Sequence, residues 1–319
     1  MKKIIGMVLF LVVLYIALLY ADPNAGSAQN HYNLGKRIGF YGILCLGSAM
    51  LIITGGIDLS LGSVVGLSAT IMAILLIDQE WSPFAALAAV LATGAAIGVI
   101  HGLLVTKLKL QAFVVTLCGL FIYRGAARWI AGDTVKGLGR LSPSLQSFKD
   151  LVYKSDVFGL PKFLVIFLLL CAAATVFLHF SVYGRYFFAI GSNERAARYS
   201  GIATDRYKIL AYVICSVLAS FCGVLFLFEH NSAQPSETGS FFELYAIAGA
   251  VLGGCSLRGG EGSVFGVMIG TTILWILPNL TKMWGIPDEF EYMVIGGALL
   301  LGAILDELLR PRSEKRLTG

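Results

Sequence analysis

The stretch ITGGIDLSLGSVVG, residues 53–66, places one aspartate between two apolar runs. At mid-bilayer a charged side chain costs on the order of 2.5–3.5 kcal/mol, so Asp58 needs a specific role there. Aspartate is a preferred helix N-cap, and Gly55 and Gly56 provide the permissive backbone of a helix break. The pattern predicts that a helix restarts directly after Asp58, which caps it. A compatible interpretation places Asp58 and Ser60 in the polar lining of a path through an apolar layer.

A related glycine break lies in the second half of the chain. GGIDLSLGSVVG begins at Gly55 and GGCSLRGGEGSVFG begins at Gly253, and both contain G-G-x-x-L followed by G-S-V-x-G. Ser256 occupies the position that Asp58 has in the first copy. The pattern predicts an internal parallel repeat, as in several transporter folds. The second copy adds Gly253, Gly254 and Ser256 to the candidate helix-break and path residues.

Two arginines of FIYRGAARWIAG lie four residues apart on one predicted helix face, in the outer third of a span. Snorkelling to the membrane interface accounts for Arg128. Arg124 lies deeper, where a cation needs a partner. The sequence leaves two roles open for Arg124, a hydrogen bond that ties helices together or a contact along the path.

Polar residues also concentrate in two connecting segments. NERAARYSGI, within residues 181–208, predicts a short amphipathic helix that Asn193 caps. It is either an ordinary basic loop or a docking element for a soluble partner. The stretch 229–254 opens with a polar loop that carries Glu229 and Glu243, and this loop is either solvated or an entry surface for a donor protein or a hydroxyl-rich solute.

Other chemistry finds little support in the sequence. The four histidines are far apart and lack metal-ligand spacing, and the six cysteines form no CxxC pair, so we interpret the cysteines as small packing residues. The chain has no G-x-x-x-x-G-K-[ST], no G-x-S-x-G and no HExxH sequence. We therefore expect no enzyme active site, no metal and no cofactor.

Composition defines the elements that must position these residues. Of 319 residues, 57% are hydrophobic and 13% are charged, whereas soluble domains usually carry about 25% charged residues. Backbone groups in lipid must pair within their own segment, which favours helices. The sequence predicts an all-α polytopic membrane protein, one domain over residues 1–319 with about ten helices. The predicted spans are 4–20, 37–54, 59–77, 84–106, 112–131, 162–180, 207–228, 243–257, 263–279 and 290–308.

The distribution of lysine and arginine predicts the orientation. The positive-inside rule favours cytoplasmic N- and C-termini, with the segment 181–208 inside and the loop 132–161 outside. The first apolar run is expected to stay as an uncleaved helix, because no clear cleavage site follows it closely. The net charge of +5 is modest and scattered, which indicates loop bias and not nucleic-acid binding.

Three stretches together resemble a known family. ITGGIDLSLGSVVGLSA, AIGSNERAARYSGI and SAQPSETGSFFELYAIAGAVLGGCSLRGGEGSVFG are similar to the membrane permease subunits of monosaccharide ABC importers of the ribose, xylose and galactose type. The resemblance runs from about residue 37 to 308, with a weaker match in the loop after residue 131. It implies that two permease chains, expected to form a homodimer in the cytoplasmic membrane lipid, enclose the pathway.

The resemblance also implies partners and a coupling site. A periplasmic sugar-binding protein would deliver the solute, and a separate cytoplasmic ATPase would drive alternating access. The stretch GSNERAARYSGI matches the loop that docks on that ATPase in the family. The match implies these contact residues: Gly191, Asn193, Glu194, Ala196, Ala197, Ser200 and Gly201.

Alternative functions stay open at this point. The same architecture can carry nucleosides or branched-chain amino acids. A self-contained secondary transporter would need several intramembrane ionisable residues, and only Asp58 and Arg124 are candidates. A membrane enzyme lacks a catalytic constellation.

Overall fold

The computed structural model describes residues 2–139, 142–154, 159–290, 292–297 and 300. Within this part of the chain, eight helices are long and apolar enough to cross a membrane. The predicted all-α polytopic class is therefore confirmed. The helices are α1 Lys2–Ala21, α2 Ala28–Ile53, α3 Leu61–Ala73, α4 Pro83–Thr106, α5 Ala112–Ile130, α6 Pro143–Lys149, α7 Lys162–Thr175, α8 Val182–Ser192, α9 Glu194–Tyr199, α10 Thr204–His230, α11 Phe242–Leu252 and α12 Val264–Met283.

Short segments extend or connect these helices. Wider π-helical turns continue α3 over Ile74–Asp78, follow α6 over Asp150–Lys154 and continue α7 over Val176–Phe180. Single 3-10 turns lie at Pro23–Gly26 and Asp288–Phe290. The strand β1, Lys136–Gly137, pairs antiparallel with β2, Ser232–Ala233.

Eight of the ten predicted spans correspond to the eight long helices. The span predicted at 243–257 is the short apolar helix α11 of 11 residues, which agrees with its short apolar run. The span predicted at 290–308 lies largely outside the described residues. The largest difference in a boundary is at α2, which begins at Ala28 because the Ser27 hydroxyl accepts from Asn30 N and caps it.

The centre of the helix bundle is formed by α2, α3 and α10, which carry most of the largest buried cluster. Helix α4 lies against α10 through glycines spaced four apart, which bring two helix backbones close together. A Cβ atom on Gly98 would lie 2.5 Å from Val213 Cα. The start of α3, which follows Asp58, is enclosed by α4, α10 and α11.

The loop predicted at 132–161 folds onto the end of α10. Leu138, Leu145 and Phe148 are buried in a cluster with Phe228 of α10. The β1–β2 pair joins this loop to the chain that leaves α10, with Lys136 opposite Ala233. The position of the segment between α10 and α11 is thus fixed at its first end.

The two glycine breaks have the same type of helix end, but the helices that follow them begin at different positions. After α2, Gly56 N donates to Leu51 O and Gly55 has a φ of +79°, and after α11, Cys255 N donates to Ala250 O and Gly254 has a φ of +83°. These are the same left-handed helix ends, offset by one residue from the sequence alignment. The next helices begin at Leu61 and at Val264, three residues apart in that alignment. The parallel repeat stays a prediction.

Candidate functional site

Asp58 is buried in the connection between α2 and α3, with 1% of its surface exposed. Its Oδ1 accepts from Ser60 N at 2.8 Å and from Ser60 Oγ at 2.6 Å. Helix α3 begins only at Leu61, and Ser60, its N-cap residue, makes no side-chain capping bond. The predicted cap at Asp58 is therefore wrong. The carboxylate closes a local turn with the amide two residues on, a competing bond that aspartate readily makes.

Three helices bring further polar groups to this turn. His101 of α4 places Nδ1 3.7 Å from Asp58 Oδ2, and its Nε2 lies 3.0 Å from the Tyr123 hydroxyl of α5. The Tyr212 hydroxyl of α10 donates to Ile57 O at 3.4 Å. We call Asp58, Ser60, His101, Tyr123 and Tyr212 the Asp58 cluster.

Two atoms of the Asp58 cluster are buried without a hydrogen-bond partner in the structure. They are Asp58 Oδ2 and His101 Nδ1, which face each other. Since an N–H···O bond has its heavy atoms about 2.9 Å apart, a movement of roughly 1 Å would join them. Unpaired buried polar atoms are costly, so a movement that brings Asp58 Oδ2 and His101 Nδ1 within hydrogen-bond distance is energetically favourable.

The first turn of α3 receives an acceptor from the second half of the chain. The Glu243 carboxylate, buried in the first turn of α11, faces the Gly62 amide. A Cβ atom on Gly62 would lie 2.3 Å from Glu243 Oε2. Negative charge is favourable at a helix N-terminus, so Glu243 compensates for the cap that Ser60 does not provide. Glu243 therefore belongs to the helix predicted to begin at residue 243 and not to the polar loop in which it was also expected.

Arg124 hydrogen-bonds to backbone that lies outside its own helix. Its Nη1 donates to Thr238 O at 2.5 Å and to Pro235 O at 3.3 Å. These bonds tie α5 to the segment between α10 and α11 and not to another helix, and a contact of Arg124 along the path stays a prediction. Arg128, one turn later, is exposed and donates twice to Asp133 at 2.8 Å, which holds the pKa of Asp133 below its usual range.

Three segments of the chain meet where α2 ends. Gly260 N donates to Ile53 O at 2.9 Å, which joins the loop after α11 to the end of α2. Gly191 of α8 lies against both partners of this bond. A Cβ atom there would be 1.9 Å from Ile53 O and 2.3 Å from Gly260 N. Both glycine breaks and the predicted coupling segment therefore share one backbone junction.

A groove of about 860 Å³ opens beside this junction. Gly55 and Gly56 form part of its wall, and so do Asn193 and Glu194, so the structure brings two sets of predicted site residues together. Lys109, Arg195 and Lys208 make the wall predominantly basic. Gly253, Gly254 and Ser256 lie in the loop that reaches the junction, whereas Arg124 lies in a different part of the bundle.

The predicted short helix is present as α9. Asn193 caps it by accepting from Ala196 N at 3.0 Å, as predicted. Glu194 pairs with Lys208 of α10 at 3.0 Å and so fixes α9 to the bundle. Ala197 is buried, and the rest of the α9 surface is open, with Tyr199 92% exposed. The remaining predicted contact residues Ala196, Ser200 and Gly201 are exposed.

In the part of the chain that it describes, the structure gives no support for a metal site or for a disulfide. Among the described residues, no group of three or more His, Cys, Asp or Glu side chains is arranged to hold a metal ion. All six cysteines are free. Five of them are buried, which fits a packing role, and Cys118 is exposed on α5.

Sequence reasoning missed His101, Tyr123, Tyr212 and Glu243 as members of a site. A signal existed for His101, because an ionisable residue inside a predicted span is a functional candidate by default. We gave His101 no role because the four histidines lack metal-ligand spacing. Nothing in the local sequence pairs Glu243 with Gly62, since their contact depends on the tertiary fold.

The fold and these sites define a multi-pass membrane protein with interrupted helices and a short exposed helix, α9. The chain belongs to the family described as the branched-chain amino acid transport system / permease component, which it matches over residues 33–303. It is 34% identical to the ribose import permease protein of Escherichia coli strain K12 over 305 residues, 93% of this chain and 91% of that protein.

Further relatives carry related names. The ribose import permease protein of Bacillus subtilis strain 168 is 33% identical over 299 residues, 93% of this chain and 90% of that protein. The autoinducer 2 import system permease protein LsrC of Enterobacter sp. strain 638 is 37% identical over 270 residues, 84% of this chain and 76% of that protein. No solved structure matches the chain significantly.

Proposed function

We propose that this chain is the permease subunit of an ATP-driven importer that moves a monosaccharide across the cytoplasmic membrane by alternating access. The observation that carries the proposal is the convergence at the groove, where both glycine breaks meet the segment that exposes α9. An ATPase that moves α9 acts directly on the backbone junction at the ends of α2 and α11. The ribose import permeases among the relatives support a sugar as the solute.

We extend the proposal to three partners, which the family and the names of the relatives support. A cytoplasmic ATPase docks on α9 and the basic groove, a periplasmic sugar-binding protein delivers the solute to the opposite face, and a second copy of this chain completes the pathway. Both termini lie in the cytoplasm. The chain itself hydrolyses no ATP.

The interior chemistry suits a hydroxyl-rich solute. A sugar hydroxyl that enters an apolar layer without a partner costs a few kcal/mol, so the path must offer hydrogen-bonding groups. The Asp58 cluster offers carboxylate, imidazole and hydroxyl groups. A donor protein that holds the sugar removes the need for a tight intramembrane site.

Uptake into proteoliposomes tests the proposal. Vesicles that contain this chain, its ATPase and its binding protein are expected to accumulate labelled ribose only with ATP, and unlabelled monosaccharides should compete. The family name makes branched-chain amino acids the main competing cargo. ATP-driven accumulation of labelled leucine, with none of labelled ribose, would refute the sugar assignment, and ATP-independent uptake driven by an ion gradient would refute the importer class.

Scrambling residues 193–201 is expected to abolish co-purification of the ATPase, because it removes the Asn193 cap and the Glu194–Lys208 pair that fix α9. The permease should still be extracted as a folded protein, since α9 contributes only one buried apolar side chain, Ala197. The matched control scrambles the exposed loop residues 79–82, which should retain the ATPase. Full ATPase binding by the 193–201 variant would contradict the proposed coupling role.

A further inference from the structure

The chain between α10 and α11 forms a compact strap over α3. We define the strap as residues 234–241, QPSETGSF, a series of turns between β2 and α11. Pro235, Thr238 and Gly239 are buried, whereas Ser236 and Glu237 are exposed. One side of the strap therefore packs into the bundle and the other faces outward.

The buried side of the strap lies in a groove made by two glycines of α3. A Cβ atom on Gly66 would lie 2.6 Å from Thr238 O, and one on Gly62 would lie 2.0 Å from Gly239 O. Gly239 has a φ of +79°, and its own Cβ would lie 2.1 Å from Gly62 O. The strap and α3 thus meet backbone to backbone, and side chains on either surface would separate them.

Arg124 holds the strap in this groove. Its two bonds go to the carbonyls of Thr238 and Pro235, and its Nη1 would lie 3.0 Å from a Cβ atom on Gly66. The guanidinium therefore lies at the contact between strap and α3. Charge-assisted hydrogen bonds in a poorly hydrated place are strong, and Arg124 supplies both from one side chain.

The far end of the strap carries backbone strain. Phe241, the residue before α11, has a φ of +65°. A bulky side chain rarely adopts this left-handed conformation, which persists only where the surroundings enforce it. This strained residue is the point at which the strap joins α11.

The strap lies over the first turns of α3, the helix that follows the buried turn at Asp58. Directly beneath Gly239 lies Gly62, which faces the Glu243 carboxylate and lies four residues after Asp58. We propose that the strap is a gate on the face that carries the 132–161 loop, that Arg124 is its latch, and that the strap leaves the α3 groove when a solute passes to the Asp58 cluster. This gating role rests on the proposed importer function.

Thiol labelling of Thr238→Cys tests the latch. Thr238 is 6% exposed under the strap, and the background variant Cys118→Ser removes the one exposed native thiol. In the purified chain in liposomes, an impermeant maleimide should label this cysteine slowly. Adding Arg124→Gln should raise the labelling rate by about tenfold or more, as expected when a charge-assisted hydrogen bond no longer holds the closed state.

The matched control is Arg128→Gln, which removes an arginine of the same helix that bonds to Asp133 and not to the strap. This control should leave the labelling rate unchanged. Equal labelling rates with and without the Arg124→Gln substitution would overturn the latch, and a rise in the Arg128 variant as large as in the Arg124 variant would do the same.

Uptake by the complete importer tests the gate. In the Thr238→Cys, Cys118→Ser protein with Arg124 intact, assembled with its ATPase and binding protein, labelling of the cysteine should accelerate during ATP-driven transport. If labelling is the same with and without turnover while uptake is normal, the gate is refuted and the permease function stands. If the complete wild-type assembly transports no sugar, the proposed function fails, and the labelling of the isolated chain still decides the latch.

Discussion

Replacement of Asp58 by leucine is expected to lower the free energy of unfolding by about 2–4 kcal/mol, because two buried donors lose their acceptor. These donors are the amide and the hydroxyl of Ser60, which both reach Asp58 Oδ1 and have no exposure to solvent. Leucine has a comparable size but no oxygen, so the turn before α3 loses its internal bonds. The measurement is the melting temperature and the monodisperse yield of the purified chain in detergent.

Asp58→Asn is the matched variant, since its amide oxygen can still accept from Ser60. We expect it to retain most of the stability that the leucine variant loses. Uptake by the asparagine variant then reports on the charge and on the Oδ2 acceptor that faces His101, because the turn is preserved. Melting temperatures equal to wild type in both variants would show that the Ser60 bonds do not support the fold.

Replacement of Gly191 by alanine is expected to have the second large effect, on coupling. The added methyl would lie 1.9 Å from Ile53 O, a backbone atom that cannot rotate away. Overpacking of this kind costs about 1–3 kcal/mol, which corresponds to roughly a 5- to 150-fold change in an equilibrium. We expect the bond from Gly260 N to Ile53 O to open, and both ATPase co-purification and ATP-driven uptake to fall by about that factor.

The control for Gly191→Ala is Gly6→Ala in α1. Both glycines lie in helices, where alanine alone favours the helix by roughly 1 kcal/mol, but a Cβ atom on Gly6 meets nothing within 4 Å. The Gly6 variant should therefore couple normally. Normal uptake by the Gly191 variant would mean that the junction is loose enough to absorb a methyl group and that it does not transmit the ATPase movement.

The sequence was informative wherever a local pattern determines structure. Long apolar runs predicted the eight long helices, and the Asn193 capping pattern predicted α9, because both depend on residues within one or two turns. Asp58 shows the limit even of local reasoning. Capping and the turn closed by Ser60 are alternative uses of the same carboxylate, and residue type alone does not choose between them.

The candidate sites depended on contacts between distant parts of the chain. His101, Tyr123 and Tyr212 come from three helices, and each appears in the sequence as an isolated polar residue in an apolar run. Glu243 meets Gly62 only because α11 and α3 pack together. The residues that form the wall of the groove could be predicted from the sequence. The hydrogen bond from Gly260 N to Ile53 O, which brings these segments together, could not.

Arg124 recognises the strap through main-chain oxygens and not through side chains. Every amino acid supplies such an oxygen, so the outward residues of the strap can change identity without weakening its attachment. A library of substitutions at Ser236 and Glu237 should therefore be broadly tolerated, while Gly239 accepts almost nothing else. Under the proposed function, this division leaves the outer surface of the strap free to vary with the delivering protein while its internal attachment stays the same.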